Sequence, residues 1–271
     1  MGRHPKDFKI KQALPVLIIA ILLIAVFYIV LEIKSRQKTV NNLPPAKLSA
    51  SADKVPIAQT RELKLEESGA LYAIKISYPE IISPSAAIKA ANEALKNRVL
   101  AAKTDFVENE KDSEKFSIAS GEKSELTIDY EILKISDSFA SIKFNVSQYQ
   151  AGGAHPNGYV FVVNLDLQNG KELALEEIFS GPWKEEISKF CAKSLLAQNE
   201  GAPVDVKNWI IEGTQPTVEN FSVIGFSGSS ALIFFNPYQV APFAQGISVV
   251  DMPLQLLSGN LNPALGRLIG K

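Results

Sequence analysis

The longest apolar stretch of the chain is residues 13–31, where 19 consecutive residues carry no charged side chain. At a rise of about 1.5 Å per residue, a helix of this length approaches the roughly 30 Å hydrocarbon core of a bilayer. The stretch is not followed by the small-residue cleavage site of a secretory signal peptide. The pattern therefore predicts one transmembrane helix over 13–31 that stays attached to the protein.

Charges on either side of this span predict its orientation. Four Lys and Arg residues precede the span and three follow it closely, which favours a cytoplasmic tail over residues 1–12. The C-terminal part would then lie outside the cytoplasm, as in a single-pass protein of the cell membrane. Residues 32–59 are polar, contain Pro44-Pro45 and lack an apolar period, which predicts a flexible linker to the folded part.

Beyond the linker, apolar positions recur with the periods of helices and strands. Helical spacing begins after Ser83-Pro84, an N-cap followed by a proline, and continues to about Val107. A second helical stripe covers residues 183–195. Period-two alternation, typical of strands, marks residues 126–132 and 140–146, and runs rich in strand-forming apolar residues predict further strands over 71–76, 159–167, 221–226, 231–235 and 246–251.

The order of these segments predicts the fold class. Strands and helices are mixed without regular alternation, and Asn169-Gly170 favours a type I′ hairpin between neighbouring strands. We therefore expect an α+β fold with antiparallel sheets, each packed by a helix. Two interlocked halves are predicted, over residues 60–155 and 156–265.

Composition narrows the function classes. The chain has 28 Lys and Arg against 29 Asp and Glu, so it lacks the basic excess that binds a nucleic-acid backbone. One Cys cannot close an internal disulfide, and two His with one Cys cannot build a zinc site of His and Cys ligands. We therefore expect no metal, no cofactor and no nucleic-acid partner.

Candidate catalytic side chains give weak patterns. Ser227 stands in a motif that approaches a nucleophile elbow, but strand-like segments on both sides predict a hairpin instead. Cys191 shares the apolar face of a predicted helix, so we expect it to be buried. Asp129, Glu131 and Asp166 lie on predicted strands and could form a carboxylate pair, although no cleft pattern accompanies them.

Two dense loops are the better candidates for a binding site. The first, at residues 150–158, contains the one histidine that follows the predicted span, His155, together with Asn157. The second, at 234–246, contains Tyr238, whose ring could face a partner. Turn-forming residues predicted to hold these loops are Gly152, Gly153, Pro156, Pro242 and Gly246.

These loops also carry a family resemblance. Tyr78-Pro79, the GGAHPN sequence at 152–157, Asn169-Gly170-Lys171 and FFNPYQVAPFAQG at 234–246 resemble the paired extracytoplasmic domains shared by the anti-sigma factor RsiV and the peptidoglycan deacetylase PdaC. The similarity covers about residues 60–260. It implies an α+β fold and, because the RsiV ectodomain is a lysozyme receptor, a receptor or wall-binding role. With 12 residues before the span, no sigma-binding domain is expected, nor is a deacetylase domain.

The sequence thus predicts a membrane-anchored extracytoplasmic module that performs no chemistry itself. Its expected partner is a lysozyme-like muramidase or peptidoglycan, contacted through His155, Asn157 and Tyr238. Two alternatives stay open: an envelope hydrolase that uses His155 with a strand carboxylate, and a structural scaffold domain.

Overall fold

The computed structural model describes residues 59–109, 121–264 and 266. The predicted tail (1–12), the predicted transmembrane helix (13–31) and all but the last residue of the predicted linker (32–59) lie outside the described residues. Among the helices that are described, none combines the length and the apolar character needed to cross a membrane. The span over 13–31 therefore stays a prediction.

The described residues form nine strands and four α-helices. The strands are β1 (Thr60–Ser68), β2 (Tyr72–Ile81), β3 (Ser124–Ile135), β4 (Phe139–Tyr149), β5 (Asn157–Asp166), β6 (Lys171–Glu172), β7 (Ile224–Ser227), β8 (Ser230–Phe235) and β9 (Ser248–Pro253). The helices are α1 (Ala86–Asn109), α2 (Leu175–Ile178), α3 (Trp183–Gln198) and α4 (Val204–Gly213), and 3₁₀ turns span Phe243–Gln245 and Leu254–Leu257. The α+β class is confirmed.

The larger sheet has the strand order β1-β2-β3-β4-β5-β6. Its neighbouring strands pair antiparallel, except that β2 and β3 run parallel from Tyr72↔Ser124 to Ile76↔Ile128. The expectation of wholly antiparallel sheets is wrong at this pair. The reason is that α1 returns the chain to the same end of the sheet before β3 begins, which is the crossover that a parallel pair requires.

Two hairpins test the predicted turns. β7 and β8 join through Gly228-Ser229, so Ser227 lies in a hairpin as expected. β5 and β6 also form a hairpin, but its loop covers residues 167–170. Gly170 has a φ of 71° while Asn169 does not have a positive φ. The predicted type I′ turn is therefore wrong, because that turn requires positive φ at both central residues.

The larger sheet is covered on both faces. One face packs against α1, whose Ala91, Leu95 and Val99 are buried among residues of β2 to β5. Side chains of a strand alternate between faces, so Ser141, next to the buried Ile142, lies on the opposite face. β7 covers that face, and the Ser141 hydroxyl accepts a hydrogen bond from the Phe226 amide at 3.0 Å.

The smaller sheet is antiparallel in the order β7-β8-β9. It shares a hydrophobic core with α3, which buries Ile187, Cys191 and Leu195. A side-chain amide also joins the two sheets, since Asn164 on β5 donates to the Ile224 carbonyl at 2.9 Å. The boundary predicted after residue 155 stays a prediction, although β5 follows that boundary and pairs with β4.

Candidate functional site

The His155 loop connects β4 to β5 and is held down by hydrogen bonds to the start of β3. The Ala151 amide donates to the buried Ser124 hydroxyl at 2.9 Å, and the Gly152 amide donates to the Glu122 carboxylate at 3.3 Å. Gly152 has a φ of 84°, which a residue with a Cβ adopts at a cost. These contacts hold an exposed loop, with His155 at its tip, against a rigid sheet.

The Tyr238 loop follows β8 and is attached to the edge of β5. Asn236 makes two hydrogen bonds with Val160: its Oδ1 accepts from the amide at 2.8 Å and its Nδ2 donates to the carbonyl at 3.2 Å. The Asn236 side chain thereby satisfies a stretch of β5 backbone that β6, which pairs with Leu165 and Asp166, does not reach. This places the Tyr238 loop beside the strand that begins directly after the His155 loop.

Four rings from these loops and α4 form one continuous group, which we call the aromatic row. His155 stacks on Phe243 with ring centroids 4.5 Å apart and planes inclined by 27°. Phe243 neighbours Tyr238 at 5.8 Å and 31°, and Tyr238 neighbours Trp209 at 6.3 Å and 37°. Tyr238 is 57% exposed and His155 is also exposed, while Phe243 and Trp209 are half-buried.

A close backbone contact brings α4 into the row. Gly213, at the C-terminal end of α4, lies so near the Gln239 carbonyl that a Cβ at this position would overlap the oxygen. Gln239 also donates from its side chain to the Asn220 carbonyl at 2.7 Å. The absence of a side chain at Gly213 is therefore what lets Trp209, one helical turn earlier, reach Tyr238.

The backbone at Tyr238 is strained. Its φ of 69° lies in the left-handed region, and its amide donates to the Ala241 carbonyl at 3.0 Å. A bulky residue in this region costs roughly 1–2 kcal/mol, and such strain concentrates at functional sites. Gly246 closes the same loop with a φ of 69°.

The other predicted site residues lie around the row. Asn157 is exposed at the start of β5, Pro156 immediately precedes it, and Pro242 leads into the 3₁₀ turn that contains Phe243. The structure thus brings His155 and Tyr238 to one surface through Phe243. The binding roles of His155, Asn157 and Tyr238, and the structural roles given to the Gly and Pro residues, stay predictions.

The titratable groups considered for catalysis have structural partners. His155 Nδ1 lies 3.0 Å from the Pro156 carbonyl oxygen, which can only accept, so a hydrogen bond between the two requires the ring proton on this nitrogen. Among the described residues, no carboxylate hydrogen-bonds to the ring. Asp129 accepts from Asn145 at 2.5 Å, and Glu131 forms an ion pair with Lys143 at 2.6 Å.

Two further groups serve structure. The Asp166 carboxylate accepts from the Gln168 and Asn169 amides, each at 2.9 Å, and so shapes the β5–β6 loop. Cys191 is buried, and loss of solvent raises the pKa of its thiol to about 12. Within the described ranges, no three or more His, Cys, Asp or Glu side chains are grouped so that they could hold a metal ion.

Sequence reasoning missed three contributors to the site: Trp209, Phe243 and Asn236. Phe243 and Trp209 are half-buried aromatics, and such residues look like core positions in a sequence. Asn236 stands in the resemblance motif, in an Asn-Pro pair that favours a turn. The Asn-Pro pair was the one signal in the sequence that pointed to a structural role for Asn236.

Comparisons with known proteins match this domain order. The family model described as deacetylase PdaC matches residues 65–158, and the model described as a protein of unknown function, DUF3298, matches residues 176–255. The peptidoglycan-N-acetylmuramic acid deacetylase PdaC of Bacillus subtilis is 29% identical over 139 residues. That match covers 50% of this chain and 29% of the deacetylase, so the chain spans less than a third of that relative.

Solved structures share the fold. A DUF3298 family member from Bacteroides fragilis superposes with a TM-score of 0.58 at 18% identity, over 79% of this chain and 97% of that one. A DUF3298 family protein from Pseudomonas aeruginosa gives 0.56 at 16% identity, over 78% and 97%. The matches to both families, in the order that the resemblance implied, show that this chain carries a PdaC/DUF3298 domain pair.

Proposed function

We propose that this domain pair is a non-catalytic binding module for a cell-envelope partner, either a lysozyme-like muramidase or peptidoglycan. The observation that supports the proposal is the aromatic row, in which the two loops singled out in the sequence meet at one exposed surface. Aromatic side chains are enriched where proteins bind partners, because they bury a large area at a low cost in entropy.

Strain at Tyr238 supports binding at this surface. The loop holds a 57% exposed tyrosine in a backbone conformation that glycine would adopt without cost. Folding alone gives little reason to retain such a residue, since its ring buries only part of its area. A partner that contacts the ring would give that reason.

We propose that the module is non-catalytic because the side chains considered for catalysis are engaged in structural contacts. Asp129, Glu131 and Asp166 each hold a structural hydrogen bond or ion pair, and the His155 ring stacks on Phe243. A general base needs a carboxylate or another orienting group beside it. The relative from Bacillus subtilis is named as a peptidoglycan deacetylase, but the segment that matches this chain covers 29% of that protein.

Binding and turnover are separated by one pair of assays on the full chain in detergent micelles. The chain is mixed with hen egg-white lysozyme and, separately, with purified muropeptides, and both complex formation and release of cleaved products are measured. We expect binding to at least one of them with no turnover. Turnover that disappears in His155→Ala would establish the hydrolase instead, and absence of binding in both assays would leave a scaffold.

The matched controls are alanine variants inside and outside the row. Tyr238→Ala should weaken binding by about tenfold or more, as expected for an exposed aromatic contact. Leu256→Ala should leave binding unchanged, because Leu256 is similarly exposed but lies after β9 in the 3₁₀ turn Leu254–Leu257. Equal losses in the two variants would count against the row as the binding surface.

We also propose that residues 13–31 hold the module at the membrane with its folded part outside the cytoplasm. The 19 uncharged residues and the distribution of Lys and Arg around them support this arrangement. Protease added to intact cells should digest the folded part while a cytoplasmic marker survives. Protection of the folded part in intact cells, with digestion after lysis, would contradict the orientation.

A further inference from the structure

β1 forms an open edge of the larger sheet. It pairs with β2 along all 9 of its residues, from Thr60↔Ile81 to Ser68↔Ala73. On its other side, none of the described strands pairs with it. Alternate residues of an edge strand direct their N–H and C=O groups away from the sheet. β1 therefore offers a row of backbone donors and acceptors to a further strand.

The usual ways of blocking a sheet edge are absent from β1. Proteins protect such edges with very short strands, bulges or prolines. β1 is long, its register with β2 is unbroken, and its sequence contains no proline. Charged side chains are the remaining protection, and those of β1 carry both signs: Arg61, Glu62, Lys64, Glu66 and Glu67. A strand with opposite charges in the facing positions would be attracted instead of repelled.

A second copy of β1 is such a strand. Two copies related by a two-fold axis through the sheet at Leu65 would pair their β1 strands antiparallel. Lys64 of each copy would then lie opposite Glu66 of the other, and the symmetry makes this attractive pair occur twice. An axis at Lys64 would instead place Lys64 opposite itself and Glu62 opposite Glu66. Like charges that face each other are destabilising.

The existing ion pairs of β1 favour the axis at Leu65. An axis at Leu63 would place Lys64 opposite Glu62, but these two side chains already form an ion pair within one strand at 2.9 Å. Glu66 is exposed and makes no hydrogen bond or ion pair with another described residue. The axis at Leu65 supplies Glu66 with a partner.

Neighbouring side chains fit the same register. In this register Glu62 lies opposite Ser68 of the second copy, on the sheet face that is turned away from α1. Lys123 donates to the Ser68 hydroxyl at 3.3 Å, so its ammonium group lies where the second carboxylate would arrive. On the other face Leu65 packs against the core beneath α1, and two Leu65 side chains would meet across the axis.

We infer that two copies of this chain associate by antiparallel pairing of their β1 strands about Leu65. The inference goes beyond the proposed binding of an envelope partner and does not depend on it. Asn236 attaches the Tyr238 loop to β5, near the opposite edge of the sheet. Pairing at β1 therefore leaves the aromatic row of both copies uncovered.

Cross-linking of the full chain in detergent micelles tests the register. Leu65→Cys places two thiols opposite each other across the axis, whereas Thr60→Cys places them roughly 30 Å apart at about 3.3 Å per residue. Both positions are half-buried in β1. With a short bis-maleimide, Leu65→Cys should give at least about tenfold more covalent dimer, because pairing holds its thiols at a high effective concentration. Equal yields from the two variants would overturn the inference.

Two controls accompany the cross-linking. The wild-type chain should give little dimer, because its one cysteine, Cys191, is buried. Repeating the reaction in intact cells shows which strand the edge accepts. Cross-linking of Leu65→Cys to a different protein, without the dimer, would overturn the inference in favour of another partner.

Charge reversal in the Leu65→Cys variant tests the pairing itself. Lys64→Glu or Glu66→Lys places like charges opposite each other at two symmetry-related positions, which should lower the dimer yield at least about fivefold. The two reversals together restore opposite charges and should restore the yield. Both side chains are exposed, so the melting temperature should change little. Unchanged yields in the single reversals, or no recovery in the double reversal, would overturn the inference.

Discussion

At the scale of a single residue, Tyr238 combines an exposed ring with a strained backbone. Among the described non-glycine residues it is the one with a positive φ, and its ring is largely exposed. The strain of roughly 1–2 kcal/mol is opposed by ring contacts with Trp209 and Phe243, each worth about 0.5–1.5 kcal/mol. The net contribution of Tyr238 to stability should therefore be small.

Replacing Tyr238 with glycine should separate its effect on binding from its effect on stability. Tyr238→Gly removes the backbone strain and retains the amide that donates to Ala241, but it also loses the ring contacts and gains chain entropy in the unfolded state. We expect the free energy of unfolding in urea to change by less than about 1 kcal/mol, while binding at the row is lost. A loss of stability well above this value would mean that the ring is a structural element.

Cys191, in contrast to the exposed Tyr238, is buried, and its burial predicts low reactivity. Burial raises the pKa of its thiol to about 12, so at pH 8 almost none of the reactive thiolate is present. A disulfide reagent should therefore modify Cys191 very slowly in the folded protein and rapidly after denaturation in urea. Rapid modification of the folded protein would show that α3 opens readily to solvent.

At the scale of elements, contacts made by residues outside the aromatic row position the helix and the loop that carry its rings. α4 is held against the Tyr238 loop at Gly213, and the Tyr238 loop is held against β5 by Asn236. Neither contact involves the rings themselves. The order of the row therefore depends on residues that no ligand would touch.

Gly213→Ala tests the position of α4. The added Cβ would overlap the Gln239 carbonyl, so α4 or the loop must move, and crowding of this kind costs about 1–3 kcal/mol. We expect a lower free energy of unfolding in urea and a red shift of the Trp209 emission. Gly201→Ala is the control, because a Cβ at Gly201 meets no atom within 4 Å. Similar effects of both substitutions would show that the close contact at Gly213 is not the cause.

At the scale of the whole molecule, the two sheets are joined by polar contacts as well as by packing. Ser141 accepts from the Phe226 amide, Asn164 donates to the Ile224 carbonyl, and Asn236 pairs with Val160. Buried polar groups of this kind are costly to leave unpaired. The sheets should therefore unfold together rather than one after the other.

Asn236→Leu should weaken this connection between the sheets. It leaves the Val160 amide and carbonyl without their partner, which costs about 1–3 kcal/mol. Calorimetry should show one transition at a lower temperature than in the wild type. Gln198→Leu, on the exposed side of α3, should change stability by less than about 0.5 kcal/mol. Two separate transitions in the wild-type protein would contradict the coupling of the sheets.

Periodicity in the sequence identified most of the helices and strands, but it did not show in which direction neighbouring strands pair. The apolar stripe that ends near Val107 predicted α1, and the alternation over 140–146 predicted β4. β1 was missed although Leu63 and Leu65 alternate with charged residues, since a short amphipathic run beside a linker gives little contrast. The parallel pairing of β2 with β3 was also missed, because alternation marks the faces of a strand and says nothing of its direction.

The sequence by itself determined the α+β class, the motifs shared with PdaC and RsiV, and two loops that stood out as binding candidates. Those properties depend on residue type and on spacing between residues that are close in the sequence. Only the tertiary structure decided that His155 and Tyr238 share one surface, with Phe243 between them and Trp209 at its end. That proximity depends on the Asn236 link to β5 and on the backbone contact at Gly213, and long-range contacts of this kind leave no period in a sequence.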